Sequence, residues 1–142
     1  MFSKAEAQKM KKDFWTAFAE AYPRKWLLYD TKIKDLSLKF YVDNKKAQVM
    51  IDIDSRDDAK RYDYFEKLES LKAILLEEYL PDAVFEKDFY LETGKAVSRV
   101  WVELPGISLY NMASWAATFR FFNITMDAFE RFFYEYEDII RG

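Results

Sequence analysis

The chain has 142 residues, 51% of them hydrophobic and 19% aromatic, with a net charge of −3 and neither cysteine nor histidine. It therefore has no disulfide, no thiolate or imidazole metal ligand, no cysteine nucleophile and no Ser-His-Asp triad of its own, leaving carboxylate and carboxylate–lysine chemistry. The length fits one domain over residues 1–142, burying about two-thirds of its unfolded surface, and only three glycines and three prolines predict long elements with short loops.

A first helix is predicted from Ser3, whose hydroxyl and Glu6 form a capping box, to Tyr22 before Pro23. Met10, Phe14, Phe18 and Ala21 trace its buried face. The connector that follows, Arg24-Lys25-Trp26-Leu27-Leu28-Tyr29, is basic and aromatic, and a short extra strand is expected near residues 26–33. Leu36, Leu38, Phe40 and Val42 then alternate with polar neighbours, as do Ala47, Val49, Ile51 and Ile53 after the turn Asp43–Lys46, which is the period of a half-buried hairpin.

Ser55 is read as the cap of a second helix running to about Tyr79, with Phe65, Leu68, Leu71, Leu75 and Leu76 inward. Two more strands are expected near residues 83–91 and 96–104, joined by Glu92–Lys95. On the second of them Ser98, Val100, Val102 and Leu104 face one way, and Arg99, Trp101 and Glu103 the other. The last helix, about residues 113–140, carries Trp115, Phe119, Phe122, Met126, Phe129, Phe133, Tyr136 and Ile140 at alternating steps of four and three. Phe121, Ala128, Phe132 and Ile139 widen that stripe. Its heptad-like spacing is open to a coiled-coil dimer, but phenylalanine-rich seams are foreign to simple zippers, and burial within the domain is favoured.

These elements define an α+β domain of order α-β-β-α-β-β-α: an antiparallel sheet of four to five strands, built from two hairpins, with three helices packed on it. The N-terminal residues lack the apolar core of a secretory signal, and no run reaches the length of about eighteen apolar residues that a membrane span needs. A cytoplasmic protein with no membrane partner is expected.

Charge divides unevenly along the chain. Residues 1–46 hold 11 basic and 6 acidic groups (+5), and residues 47–142 hold 11 and 19 (−8). The favoured reading is mutual neutralisation of the two halves in the fold, and the other is a surface for an anionic partner.

Asp52 and Asp54, with Glu103, could hold magnesium, but the polar side of a sheet explains them without it. A PD-(D/E)xK nuclease site fails on placement: Asp30-Thr31-Lys32 precedes the hairpin and Asp43-Asn44-Lys45 is its turn. No catalytic residue, metal ligand or cofactor is assigned. Lys39, Tyr41, Arg99 and Trp101 are the residues singled out, with Arg24 and Lys25 of the connector. On one sheet face the aromatic rings could stack bases while the cations meet phosphates. The same group could instead form a subunit interface or lie under the connector.

Phe14-Trp15, Trp26, Leu38–Val42, Val49–Asp54, Tyr64-Phe65-Glu66-Lys67-Leu68 with Lys72, Ser98-Arg99-Val100, and Trp115 with Phe129 and Phe133 come in an order that resembles the bacterial domain-of-unknown-function family 4268 across almost the whole chain. Relatives in that family occur C-terminal to predicted nuclease segments, so the resemblance implies a link to nucleic-acid processing. It transfers no catalytic residue. The functional expectation is a non-enzymatic interaction module that self-associates as a homo-oligomer or docks onto a protein partner; the alternative is a nucleic-acid-binding accessory domain.

Overall fold

A computed structural model describes residues 2–142. Helix α1 (Lys4–Ala21) leads into the hairpin β1 (Leu36–Val42) and β2 (Lys46–Ile53). Helices α2 (Asp58–Ser70) and α3 (Lys72–Glu78) follow, then the hairpin β3 (Val84–Tyr90) and β4 (Ala96–Pro105), a 3-10 turn at Met112–Ser114, and α4 (Trp115–Arg141). The strands form one antiparallel sheet in the order β1-β2-β4-β3. The α+β class and the two hairpins are as expected, and the sheet has four strands.

Three local predictions need correction. Residues 26–33 form no strand, because Leu28 and Lys32, and Asp35 just beyond, take left-handed backbone angles (φ 45°, 62° and 68°) that L side chains disfavour. The buried Thr31 hydroxyl fixes this path by donating to Leu36 O at 2.8 Å and accepting from Ile33 N at 3.1 Å, a local alternative to ladder pairing. The second helix is capped by Asp57, not Ser55: the Asp57 carboxylate accepts from the Ala59 and Lys60 amides, and Ser55 Oγ accepts from Asp57 N. That helix also breaks at Leu71. Ser70 Oγ donates to Lys67 O at 2.6 Å, taking the carbonyl that the Leu71 amide would use in a continuous helix, and Leu71 N turns to Leu68 O. Ser3 and Glu6 do form their reciprocal capping box.

The core lies between the sheet and the helices. Ala47, Val49, Ile51, Ile53, Val100 and Val102 meet Phe122, Met126, Phe129 and Phe133 of α4 within one buried cluster. Every member of the main α4 stripe is buried except the half-buried Tyr136, so the stripe is spent inside the domain. Ala21, Leu76 and Ile139, expected inside, are exposed or half-buried. Phe14 and Phe18 of α1 stand edge-on to Phe119 or Phe122 with ring centroids 5.0–6.1 Å apart, a geometry that suits ring quadrupoles.

One buried charge shapes the sheet. Arg61 of α2 is 2% exposed. Its guanidinium donates to Lys87 O (2.8 Å), Ser98 Oγ (2.9 Å), Asp88 Oδ1 (3.1 Å) and Asp58 Oδ1 (3.3 Å). These bonds grip β3 where its register with β4 shifts between Glu86 and Phe89, a bulge that bends the strand and increases its twist.

Candidate functional site

The helices cover one face of the sheet and leave the other to be built from alternate strand residues. Register places them in rows across the sheet: Tyr41, Gln48 and Glu103; Lys39, Met50, Trp101 and Val84; Ser37, Asp52, Arg99 and Glu86. Lys39, Tyr41, Arg99 and Trp101 thus share one face, in adjoining rows. A groove of about 530 Å³ runs over them, with Met50 and Trp101 among its lining, and Phe89, Tyr90, Leu91 and Glu92 contributed by β3 and its turn. One hollow lined from both β1 and the β3 turn requires the β3–β4 hairpin to curl over the face, which is what the bulge held by Arg61 promotes.

The cations in the groove are already paired. Arg99 donates from Nε and Nη2 to the two oxygens of Asp52 at 2.6 and 2.8 Å, and Lys39 Nζ lies 3.3 Å from the same carboxylate. Asp52 is 1% exposed, so the solvated setting expected for it does not hold. The guanidinium also stacks on Phe89, 4.3 Å from the ring centre, and Phe89 stands edge-on to Trp101 at 5.7 Å. Lys46 lies 3.8 Å from Glu103, which accepts from Gln48 Nε2 at 2.8 Å. With Glu92 on the rim, Lys39, Lys46 and Arg99 stand against Asp52, Glu92 and Glu103. Aromatic surface is what remains accessible: Tyr41 is 41% and Tyr90 68% exposed.

Tyr41 donates to Asp43 Oδ2 at 2.9 Å. That bond, then burial, raises the phenol above its usual range, so Tyr41 stays neutral. Burial would raise Asp43, but the Lys45 amide, the Tyr41 hydroxyl and the Lys46 amide together hold it below the ordinary carboxylate range.

Arg24 and Lys25 lie elsewhere. Arg24 donates to Asp127 at 2.7 Å and to the buried Glu130 at 2.6 Å, with its guanidinium 4.3 Å over Trp26. Glu130 also accepts from Leu27 N at 2.7 Å. The connector is therefore fastened to α4 and leaves the outer face uncovered; Lys25 is exposed on it and lines no part of the groove. Hydrogen bonds from Arg24, then from Arg131, hold Asp127 below the ordinary carboxylate range against its partial burial. A lowered folded-state value stabilises the fold above the unfolded pKa of about 4 and loses that contribution as pH falls through the folded one. Asp127→Asn is expected to lower the denaturation midpoint at pH 6, with the gap from wild type narrowing as pH falls below about 4. A gap unchanged at pH 3 would remove the ion pair as its cause.

The carboxylates considered for magnesium do not converge. Asp54 lies past the end of β2 and pairs with Lys95 at 2.6 Å. Glu103 pairs across from Gln48, four residues and about 13 Å along β2 from Asp52. Asp30 and Lys32 pair with each other at 2.8 Å on the connector. Sequence reasoning missed Phe89, Tyr90 and Leu91, whose position depends on a bulge, and it missed the role of Asp52. The opposition of an acidic and a basic residue on neighbouring strands was the available signal.

A four-stranded antiparallel α+β domain with a roofed, aromatic outer face is the class that fold and site define. The chain belongs to the family described as a domain of unknown function (DUF4268), whose model matches residues 10–137. No curated protein and no solved structure matches the chain significantly. Among the described residues no helix is long and apolar enough to cross a membrane.

Proposed function

We propose that this domain is a non-enzymatic protein-docking module whose outer-face groove receives an apolar side chain from a segment of another protein. The observation that carries this reading is the pairing of Lys39 and Arg99 with the buried Asp52, beside accessible Tyr41, Phe89, Tyr90 and Trp101. Phosphate binding by those cations requires breaking a two-pronged ion pair at a buried carboxylate, which is costly. An uncharged aromatic or long aliphatic anchor needs no such rearrangement.

Shape favours a different chain over a second copy. Two identical hollows meeting about a two-fold axis leave both unfilled, whereas a convex segment fills one. Edge pairing through β3 is opposed by its bulge and by Glu86, Lys87 and Asp88, which are features that guard sheet edges.

Selection of short random peptides displayed against the immobilised protein tests the proposal. Enrichment of peptides with an aromatic or aliphatic anchor is expected, with affinity falling about tenfold or more, roughly 1.4 kcal/mol, in Trp101→Ala and unchanged in Lys25→Ala. Selected peptides that bind Trp101→Ala as tightly as wild type would overturn it. So would light scattering that finds a dimer dispersed by Trp101→Ala, which would make a second copy the occupant.

A further inference from the structure

A second hollow, independent of the groove, lies beyond the end of the sheet. It has a volume of about 470 Å³ and is walled by Lys34 and Asp35 of the connector, Asp54 to Asp57 between β2 and α2, Lys60 in the first turn of α2, and Lys95 of the β3–β4 turn. Among the described residues no aromatic or aliphatic one lines it.

Two of the negative groups around it are already engaged. Asp54 is paired with Lys95 at 2.6 Å. The Asp57 carboxylate is used in capping α2, accepting from the amides of Ala59 and Lys60 at 3.0 and 3.4 Å. Among the described residues Lys34, Arg56 and Lys60 have no ion-pair partner within 4.0 Å. Asp35 and Asp57 likewise have no cationic partner, so three unpaired cations of the lining stand against two unpaired carboxylates. This reverses the outer face, where every cation is matched. With four cations against three carboxylates the lining keeps an excess of one positive charge, which biases the concavity toward anions.

Charge and chemistry narrow the ligand. Three cations from two separate chain segments surround one hollow, and a phosphate offers them three acceptor oxygens where a carboxylate offers two. Arg56 can meet two of those oxygens at once and the lysines act as point charges. The absence of any apolar wall leaves the rest of the ligand outside. We infer that this cleft binds a phosphate group, as a phosphate monoester or an oligophosphate, with Arg56, Lys60 and Lys34 as its donors.

Amide chemical shifts of the whole protein, followed during titration with sodium tripolyphosphate and separately with orthophosphate at low ionic strength, test the inference. Saturable shifts are expected at Arg56, Asp57, Lys60 and Lys95, with Tyr41 and Trp101 still. Arg56→Gln with Lys60→Gln is expected to weaken binding about tenfold or more, while Lys9→Gln with Lys12→Gln on α1 leaves it unchanged. All four side chains are exposed, and an unchanged thermal midpoint shows that the fold survives. Saturation by orthophosphate at these residues assigns a monoester ligand, and saturation by tripolyphosphate alone an oligophosphate. Uniform shifts that never saturate, or equal affinity in the Arg56→Gln/Lys60→Gln variant, would overturn the assignment.

Discussion

Asp52→Ala is expected to lower the unfolding free energy by about 3–5 kcal/mol, the range for removing one partner of a buried ion pair. Asp52 is 1% exposed and the side chain of Arg99 11%, so the pair is largely shielded from water. Removal of the carboxylate strips both acceptors from the Arg99 guanidinium and, among the described residues, the one ion-pair partner from Lys39. The guanidinium is still stacked on Phe89, which leaves it desolvated and uncompensated. A urea titration with unchanged slope and a lower midpoint is the expected measurement. Asp52→Ala with Arg99→Met is expected to recover much of the loss, because a well-packed apolar replacement of a buried pair is often neutral. A loss below about 1 kcal/mol, as for surface pairs, would mean that the pair is solvated and its cations available to ligands.

Phe122→Ala is expected to cost about 3–5 kcal/mol, as for other large-to-small changes at fully buried aromatics. Phe122 is 0% exposed and stands where three elements meet. Its ring centroid lies 4.8 Å from Phe40 of β1, 5.4 Å from Phe18 and 5.8 Å from Trp15 of α1, the last stacked within 2° of parallel. Deleting it leaves a void bounded by rigid rings that cannot collapse onto one another. Ile124→Ala, two residues along α4 and 59% exposed, is the matched control and is expected within about 0.5 kcal/mol of wild type. Equal losses at the two positions would contradict the division of α4 into a buried stripe and an outer side.

The elements that could be read from sequence are those whose signal is periodic and local. Leu36 to Val42 and Ala47 to Ile53 alternate cleanly, and the four-three spacing from Trp115 to Ile140 leaves one solution. The features that escaped are set by single hydrogen bonds or by partners distant in sequence. The Thr31 hydroxyl and three left-handed residues replace a predicted strand with an irregular connector. Ser70 breaks a helix whose apolar spacing runs straight through it. The bulge after Glu86 has no sequence mark, yet it brings Phe89 and Leu91 to the groove. Arg61 and Glu130 read as surface charges on amphipathic helices, and both are buried by residues 26 or more positions away. The four outer-face residues were legible because strand alternation and hairpin order place them together. That their cations are already paired depended on Asp52, whose burial alternation alone does not reveal.

Titration of labelled single-stranded DNA, in low and moderate salt, into wild type and into the Tyr41→Ala/Trp101→Ala variant tests most directly whether the outer face is built for protein side chains. With Lys39, Lys46 and Arg99 matched by carboxylates, any DNA binding, including binding routed through the Arg56–Lys60 cleft, is expected to have the same affinity and salt slope in both proteins. Saturable, steeply salt-dependent binding that is lost in the variant would contradict the docking reading and assign the face to nucleic acid.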